Sequence, residues 1–299
     1  MTAQARPILL IGAAGQIGSE LTHTLSSLGP VRAPDRSALD LASADDIRRA
    51  VRETAPALIV NAGGYTAVDQ AEAEPDLAQA INGTAPGILA EEAKRLNAAL
   101  VHYSTDYVFD GRATRPYRED DATGPVNAYG RSKLAGEQAI NAIGGGHLIL
   151  RTGWVYSLQG SNFLTTIRRL ATERKELRVV DDQLGAPTWA RAVAEATALI
   201  LTRCNFQSGP GELGERSGLY HLTAAGETSW FGFAQTIVAA MAEAGETPAL
   251  TAMTPVTTAQ YPTPAKRPAY SVLDCSKALD DFGVGLDQWR DQLNLCVGG

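Results

Sequence analysis

Residues 8–18 read ILLIGAAGQIG, a short apolar run followed directly by a glycine-rich turn. The run ILLI is typical of a strand buried on both faces, and the segment after the glycines has the pattern of a helix. Gly12, Gly15 and Gly18 form a G-x-x-G-x-x-G turn without Cβ atoms at the start of that helix. Backbone N–H groups at such a helix start bind the pyrophosphate of a dinucleotide. This stretch therefore predicts the first unit of a dinucleotide-binding sheet.

The alternation of apolar runs and helical stretches continues through the first half of the chain. Such alternation predicts a parallel sheet with right-handed crossovers, here a doubly wound α/β fold of the Rossmann type. Strands are predicted at Ile8–Ile11, Val31–Ala33, Leu58–Asn61, Ala99–Ser104 and Leu148–Arg151, and helices at Gln16–Leu28, Ala44–Glu53, Pro75–Asn97 and Tyr129–Ile143.

The pattern loosens after about residue 155. Residues 254–274 contain four prolines, which argues against a central strand or helix there. We therefore predict an NAD(P)-binding domain at 1–155 and a smaller, partly discontinuous substrate-binding subdomain at 156–299, with later segments rejoining the sheet. In this second half, helices are predicted within 162–175, 188–204 and 230–244, a glycine-, serine- and proline-rich loop at 205–218, and a strand within 218–224.

Composition excludes several classes of protein. The chain has 299 residues, 44% of them apolar, and a net charge of -7, which argues against nucleic acid as a partner. No apolar run reaches the length of about 20 residues that a membrane-spanning helix needs. The three cysteines are scattered and the four histidines isolated, without the spacing of a metal site. We expect a cytoplasmic globular protein that does not insert into membranes.

The second strand should be followed by residues that contact the adenosine ribose of the cofactor. Asp35, about twenty residues after the glycine turn, could accept hydrogen bonds from the ribose hydroxyls and favours NAD. Arg36 follows it and could pair with a 2′-phosphate, with help from Arg32, which favours NADP. The two signals conflict, so the sequence predicts tolerance of both NADPH and NADH, with NADPH slightly preferred.

Two further motifs point to carbonyl chemistry. Residues 102–111 read HYSTDYVFDG and place Ser104, Thr105 and Asp106 at the carboxyl end of the fourth strand, where ligands of open α/β sheets bind. Tyr129 and Lys133 lie four residues apart, on one face of the next helix. A tyrosine can protonate a carbonyl if a nearby ammonium lowers its pKa from about 10. We therefore expect proton delivery to a carbonyl oxygen while a hydride reaches its carbon.

The chain resembles the extended short-chain dehydrogenase/reductases, and among them the dTDP-4-dehydrorhamnose reductase family. The most specific motifs of that resemblance are STDYVFDG, QLGAPT and PTPAKRP, with GAAGQIGSEL and YGRSKLAGE beside them. The resemblance implies reduction of the 4-keto group of dTDP-4-dehydro-L-rhamnose by NADPH or NADH, which forms dTDP-L-rhamnose for cell-surface polysaccharide.

The resemblance also implies roles for single residues. Thr105, Tyr129 and Lys133 would be the catalytic triad, and Thr105 and Asp106 would contact the sugar, with Trp154 packing against it. Independently, we expect Arg267, held between prolines, to bind the substrate diphosphate, with Lys266 as an auxiliary ligand. The cofactor-binding residues would be Gly12, Gly15, Gln16, Ile17, Gly18, Asp35, Arg36, Asp40, Leu41, Gly64, Tyr65, Thr66, Tyr129 and Lys133.

One feature of the family is not matched. Some members form dimers around Mg²⁺ held by carboxylates, of which Glu20 matches one position. Arg191 stands at a second, and residues 291–299 offer no glutamate for the third. Since an arginine repels a cation, we predict no such metal and a monomer or weak homodimer without one.

Two alternatives remain open at this stage. One is a reductase of another dTDP-4-keto-6-deoxysugar, and the other is a non-catalytic, NADP-binding regulatory subunit with the same fold. The complete set of Thr105, Tyr129 and Lys133 favours an enzyme.

Overall fold

The structure is a computed structural model that describes residues 6–298 apart from 205 and 208. Two residues of the predicted loop at 205–218 therefore lie outside the described residues, as do 1–5 and 299. The strands of the described residues are β1 (Ile8–Ile11), β2 (Val31–Arg32), β3 (Leu58–Asn61), β4 (Ala99–Thr105), β5 (His147–Thr152), β6 (Val155–Tyr156), β7 (Glu176–Val180), β8 (Leu184–Gly185), β9 (Thr188–Trp189), β10 (Gly218–His221), β11 (Thr228–Ser229) and β12 (Ala252–Val256).

Helices lie between the strands of the described residues, and in the first half of the chain they follow the order that the sequence predicts. They are α1 (Gln16–Thr24), α2 (Ala44–Thr54), α3 (Pro75–Gln79), α4 (Ala85–Arg95), α5 (Ala128–Ile143), α6 (Phe163–Glu173), α7 (Ala190–Arg203), α8 (Gly211–Glu215), α9 (Trp230–Glu243), α10 (Ser276–Phe282) and α11 (Trp289–Gly298).

Six strands form a parallel sheet in the order β10-β5-β4-β3-β1-β2. β2 lies on one side of β1, whereas β3, β4 and β5 follow on the other side, so the winding reverses between β1 and β3. Ligands of open α/β sheets bind at the carboxyl ends of the strands beside such a reversal. The predicted doubly wound fold is confirmed, and β10, from the second half of the chain, completes its edge.

Both faces of this sheet are covered by helices, because side chains alternate along each strand. Ile8 and Leu10 of β1 belong to the core on the face of α1 and α7, whereas Leu9 and Ile11 belong to the core on the face of α2 and α4. All four side chains are buried. The fully apolar run ILLI thus follows from burial on both faces.

The second half of the chain adds three two-stranded sheets, β6 with β9, β7 with β12, and β8 with β11. A separate core that includes Tyr156, Phe233 and Trp289 lies among them and the helices α6, α9 and α11. Pro255 lies in β12, whose single sheet partner is β7. A proline is tolerated there because one side of an edge strand makes no ladder hydrogen bonds.

Two predicted helices differ from the observed ones by more than one residue. The helix predicted over Gln16–Leu28 is α-helical only to Thr24, and a 3₁₀ turn follows over Leu25–Ser27. The helix predicted over Pro75–Asn97 contains a π-helical turn, Ala80–Thr84, between α3 and α4. Such turns insert one residue into a helix and often occur at functional sites.

A helix that crosses a bilayer needs about 20 predominantly apolar residues. Within residues 6–298, less 205 and 208, no helix combines the length and apolar character that a membrane crossing requires.

Candidate active site

A cavity of about 800 Å³ lies at the carboxyl edge of the central sheet. Its walls come from the segments that follow β1, β2 and β3, from the ends of β4 and β5, and from α5 and α9. The predicted site residues in its wall are Gly12, Gly15, Gln16, Ile17, Asp35, Arg36, Asp40, Leu41, Gly64, Tyr65, Thr66, Thr105, Asp106, Tyr129, Lys133 and Trp154.

The glycine turn at one end of this cavity is too tight for side chains. Gly12 has φ +83°, and a Cβ there would overlap the backbone nitrogen of Gly63. A Cβ on Gly18 would overlap the carbonyl oxygen of Gly12, so Gly18 packs under the turn and is not part of the cavity wall. Gly15 caps α1 and faces the cavity. The amino end of α1 therefore presents its unpaired N–H groups to a ligand without obstruction.

The segment after β2 supplies a carboxylate and a guanidinium to the wall. Asp35 Oδ1 accepts hydrogen bonds from the backbone of Ser37 at 2.9 Å and of Ala38 at 3.0 Å. The Ser37 hydroxyl and these N–H groups hold the pKa of Asp35 below its usual value. Arg36 is exposed beside it, whereas Arg32 lines a separate surface depression. Of the two arginines considered from the sequence, the structure places only Arg36 at the cavity.

Tyr65, after β3, is held by an asparagine that the sequence did not single out. Asn82 Oδ1 accepts from the Tyr65 N–H at 2.8 Å, and Asn82 Nδ2 donates to the Tyr65 carbonyl at 2.9 Å and to the Ser132 hydroxyl at 3.0 Å. Asn82 belongs to the π-helical turn, so the extra residue of that turn places its amide there. The Tyr65 hydroxyl donates to Glu74 at 2.6 Å.

The start of α5 is built to hold Tyr129 in place. Asn127 caps the helix, accepting from the Gly130 N–H at 2.7 Å, and Glu72 accepts from the Ala128 N–H at 2.7 Å. An asparagine cap satisfies N–H groups that have no partner within the helix. The Tyr129 ring lies edge-to-face with Tyr107, with ring centroids 6.0 Å apart.

Thr105 and Asp106 form a buried pair next to Tyr129. The Thr105 hydroxyl donates to Asp106 Oδ1 at 3.0 Å and accepts from the Tyr107 N–H at 3.2 Å. Burial raises the pKa of Asp106 to about 6, although the nearby Ser271 and Thr105 hydroxyls oppose that change. Gly153 makes room for this carboxylate, because a Cβ there would lie 2.5 Å from Asp106 Cγ.

The pKa of Tyr129 differs from the expectation. Burial raises it to about 12, and a hydrogen bond with the Thr105 hydroxyl opposes the rise. Lys133 does not lower it, because its ammonium is directed elsewhere: Nζ donates to the Tyr103 carbonyl at 2.5 Å. Lys133 is itself only 4% exposed, and burial lowers its pKa to about 8, opposed by Glu137. The phenol is therefore protonated at neutral pH.

Two tryptophans form one end of the cavity wall. The indoles of Trp154 and Trp230 stack face to face with ring centroids 3.4 Å apart and parallel planes. Trp154 has φ +51°, a left-handed conformation that is unusual for a bulky residue. Its indole lies over Gly185, where any Cβ would overlap the ring. Sequence reasoning found Trp154 but not Trp230, which lies 76 positions further along the chain.

Arg267 and Lys266 are not part of the cavity wall among the described residues. Arg267 Nη2 donates to Asp69 Oδ2 at 2.9 Å, and its Nη1 donates to the Ala265 carbonyl at 3.0 Å. The side chain is 17% exposed. The guanidinium predicted to bind a diphosphate is thus engaged by a carboxylate of the protein itself.

Arg191, at a position where the family resemblance implies a Mg²⁺ ligand, forms an ion pair within α7. Arg191 Nε donates to Glu195 at 2.9 Å, and its guanidinium lies over the Trp189 ring, 5.7 Å from the centroid. Glu20 is close enough to raise the pKa of Arg191 further, after the larger effect of Glu195.

Comparison with known proteins gives a consistent result. The chain matches the model of the RmlD substrate binding domain over residues 6–298. It is 48% identical to the dTDP-4-dehydrorhamnose reductase of Burkholderia thailandensis over 292 residues, 97% of each chain. It is 42% identical to that of Escherichia coli over 287 residues, 95% of this chain and 94% of the other.

Solved structures agree with the sequence relatives. The structure of a dTDP-4-dehydrorhamnose reductase from Clostridium acetobutylicum superposes with a TM-score of 0.87 at 34% identity, covering 98% of both chains. That of the Bacillus anthracis enzyme in complex with NADP superposes with a TM-score of 0.85 at 32% identity, covering 98% of this chain and 99% of the other. The chain therefore belongs to the dTDP-4-dehydrorhamnose reductase family, described by the RmlD substrate binding domain.

Proposed function

We propose that this chain reduces the 4-keto group of dTDP-4-dehydro-L-rhamnose with NADPH or NADH and forms dTDP-L-rhamnose for cell-surface polysaccharide. One observation carries the proposal. The Thr105 and Tyr129 hydroxyls and the buried Lys133 share a cavity with a glycine turn that is open to a dinucleotide. Relatives that cover nearly the whole chain are named for this reaction.

The cofactor end of the cavity fits an NAD(P) molecule. Gly12 and Gly15 leave the amino end of α1 unobstructed for a pyrophosphate. Asp35 and Arg36 line the same cavity and would contact the adenosine ribose. Asp40 and Leu41 line it too and would contact the adenine. Gly64, Tyr65 and Thr66 would line the nicotinamide side. When bound, the reduced nicotinamide supplies a hydride to the carbonyl carbon.

Tyr129 is the proton donor in this proposal. Its pKa of about 12 keeps the phenol protonated at neutral pH, so that it can donate to the carbonyl oxygen as negative charge develops there. The Thr105 hydroxyl cannot compete as an acid while its proton is engaged by Asp106 at 3.0 Å. The Thr105 hydroxyl lies beside the phenol, where it opposes the rise in the pKa of Tyr129 and would help to orient the ring. Lys133, on the same helix, lines the same cavity, and its role in this proposal is to hold the cofactor.

The other end of the cavity suits a sugar nucleotide. Trp154 and Trp230 both line the cavity, and their stacked indoles would supply aromatic surface for the pyranose to pack against. Asp106 Oδ2 has no hydrogen-bonding partner among the described residues. A buried carboxylate oxygen without a partner is costly, so it would accept from a sugar hydroxyl readily.

We further propose that the protein acts in the cytoplasm, as a monomer or weak homodimer without a bridging metal. Three free cysteines and the absence of a membrane-spanning helix among residues 6–204, 206–207 and 209–298 support the first statement. Arg191, in the place of a carboxylate ligand, supports the second.

A coupled assay tests the reaction. dTDP-glucose is converted by a dehydratase and an epimerase, this protein and NADPH are added, and the product is identified by NMR. We expect NADPH oxidation to depend on the epimerase and dTDP-L-rhamnose to accumulate. Oxidation without the epimerase would assign the protein to another dTDP-4-keto-6-deoxysugar. A product with the other configuration at C4 would mean that the same keto sugar is reduced to a different deoxysugar.

A regulatory role is distinguished by the same reagents. A regulatory subunit would bind NADPH, as measured by its fluorescence, and leave the 4-keto sugar unchanged. No oxidation with any 4-keto-6-deoxysugar, despite bound NADPH, would exclude the proposed activity.

A further inference from the structure

The buried neighbours of Lys133 reach beyond the residues proposed to act on substrate. His102, in β4, is 1% exposed, and its Nε2 lies 3.4 Å from Lys133 Nζ. Its other ring nitrogen, Nδ1, lies 3.0 Å from Nδ2 of Asn61 in β3. An imidazole beside the lysine changes the proton affinity of that lysine in a direction that depends on which ring nitrogen carries hydrogen.

The protein backbone fixes that choice. Asn61 Oδ1 accepts a hydrogen bond from the Gly63 N–H at 3.2 Å. Since an N–H can only donate, the atom facing Gly63 must be the amide oxygen, and the atom facing His102 must be the NH₂ group. Asn61 therefore donates to Nδ1 of His102. The ring, if neutral, carries its hydrogen on Nε2, directed at Lys133.

The ring is held neutral by its surroundings. Burial and the charge of Lys133 both hold the pKa of His102 well below its usual value. A neutral ring with hydrogen on Nε2 can donate to an uncharged amine, but it repels an ammonium. The contact therefore favours loss of a proton from Lys133.

We propose that His102, fixed as the Nε2–H tautomer by Asn61 and Gly63, is a positioning residue that lowers the proton affinity of Lys133. Only the kinetic consequence of this proposal rests on the proposed function. The tautomer of His102 and the proton affinity of Lys133 do not depend on it. Because Gly63 also lines the cavity beside the glycine turn, the backbone that fixes the tautomer belongs to the wall of the cofactor end.

Other titratable groups also lie near Lys133. Glu137 lies on the same helix and raises the pKa of Lys133, but it is paired with Arg151 of β5 at 2.7 Å. Tyr129, one turn earlier, titrates at about 12, well above Lys133 at about 8. From β4, His102 faces the ammonium directly, and Tyr103 contributes only its carbonyl. Lys133 is therefore the group of this set that loses its proton first as the pH rises above neutral.

The tautomer is tested without turnover, by NMR of protein labelled with ¹⁵N-histidine. The expected spectrum shows His102 with a protonated Nε2 and an unprotonated Nδ1 at neutral pH. A protonated Nδ1, or an imidazolium, would overturn the proposal. This measurement stands even if the protein reduces no sugar, so it separates failure of the inference from failure of the proposed function.

The effect on Lys133 is tested with His102→Phe, which keeps the ring and removes the N–H. We expect the Lys133 Nζ resonance to titrate about one pH unit higher in ¹⁵N-lysine-labelled protein, a tenfold rise in proton affinity. If the sugar is reduced, the basic limb of the kcat/KM profile should move upward by the same amount. An unchanged Lys133 titration would refute the inference.

Two further variants separate this effect from a change in folding. His147→Phe is the matched control, because His147 is buried at the start of β5 and bonds to Asn141 and Gly145, outside the cavity wall. It should leave the Lys133 titration unchanged. If His102→Phe fails to fold, the Asn61→Asp variant is used instead. The new carboxylate can still accept from the Gly63 N–H, but it would draw the ring hydrogen of His102 to Nδ1. The Lys133 titration should again move upward, and an unmoved titration with hydrogen on Nδ1 would contradict the proposal.

Discussion

The guanidinium of Arg267 and the carboxylate of Asp69 form an ion pair at 2.9 Å, between residues 198 positions apart in the chain. Asp69 also accepts from the Ala265 N–H at 3.0 Å, so it holds the proline-rich segment 262–268 at two points. In the same segment, the Lys266 carbonyl accepts from Asn127 Nδ2 at 2.8 Å. Asn127 caps the helix that carries Tyr129. The ion pair therefore supports the geometry of the proposed proton donor.

The sequence predicts that Arg267 also binds the substrate diphosphate, and this remains a prediction. A charge-assisted hydrogen bond contributes roughly 1.5–3 kcal/mol, so Arg267→Ala should raise substrate KM at least about tenfold and leave NADPH affinity unchanged. Calorimetric titration of dTDP measures the loss. The control is Asp69→Asn, which loosens the segment but keeps the arginine. Equal losses of dTDP affinity in both variants would mean that Arg267 acts only through the fixed segment.

Tyr129→Phe removes the proposed proton donor. We expect kcat to fall by about 10²–10⁴-fold, the usual contribution of general acid catalysis, with NADPH binding nearly intact. Tyr156→Phe is a suitable control, because the buried Tyr156 hydroxyl has no partner among the described residues and Tyr156 is not part of the cavity wall. A Tyr129 variant that keeps more than half of the turnover would exclude this assignment.

Arg36 is expected to determine the preference for a 2′-phosphate. Arg36→Ala should raise KM for NADPH and leave KM for NADH nearly unchanged, because the phosphate contact is lost while Asp35 remains available to the ribose. Arg32→Ala serves as the control, since Arg32 lines a different depression. Equal rises in both constants would show that Arg36 does not recognise the phosphate.

Asp106 should make the protein less stable as the pH rises. Its pKa is raised to about 6 by burial, above the value of about 3.9 in an unfolded chain. Between these values the folded state binds the extra proton, so the free energy of unfolding falls from about pH 4 to pH 6 and stays reduced above that. Asp106→Asn should therefore stabilise the protein at pH 7.5 by roughly 1–3 kcal/mol, an advantage that disappears near pH 4. Denaturant unfolding at both pH values measures it, and an equal effect at both would contradict the raised pKa.

Removal of metal ions should change neither the activity nor the oligomeric state of the protein. Arg191 repels a cation where the family resemblance places a carboxylate, so EDTA should change neither turnover nor the mass measured by light scattering. A loss of activity that Mg²⁺ restores would contradict this prediction.

The sequence predicted the sheet well because buried parallel strands appear as continuous apolar runs. The bounds of β1 and β3 agree with the prediction, and β4 extends by one residue, to Thr105. Local spacing also brought Tyr129 and Lys133 to one cavity. The contacts that adjust their chemistry were not predictable, because they join distant residues without a local pattern. His102 meets Lys133 across 31 positions, and Asp69 meets Arg267 across 198.

The pKa of Tyr129 shows a different limit of sequence reasoning. Spacing indicates that a lysine lies near a tyrosine, but it does not indicate which atom receives the ammonium hydrogen bond. In the structure the Tyr103 carbonyl accepts it, and burial then determines the pKa of the phenol. Burial of both groups depends on the whole cavity wall and thus on the tertiary fold.

The π-helical turn at Ala80–Thr84 makes this part of the chain intolerant of changes in length. An α-helix rotates by about 100° per residue, so removing one residue there would let α3 and α4 join as a regular helix but would turn one relative to the other by that angle. Asn82 would then point away from Tyr65 and Ser132. Elsewhere on the surface, loops absorb insertions and deletions. Here we expect natural variation to proceed by substitution alone, with the distance from Pro75 to Arg95 kept constant among functional members of the family.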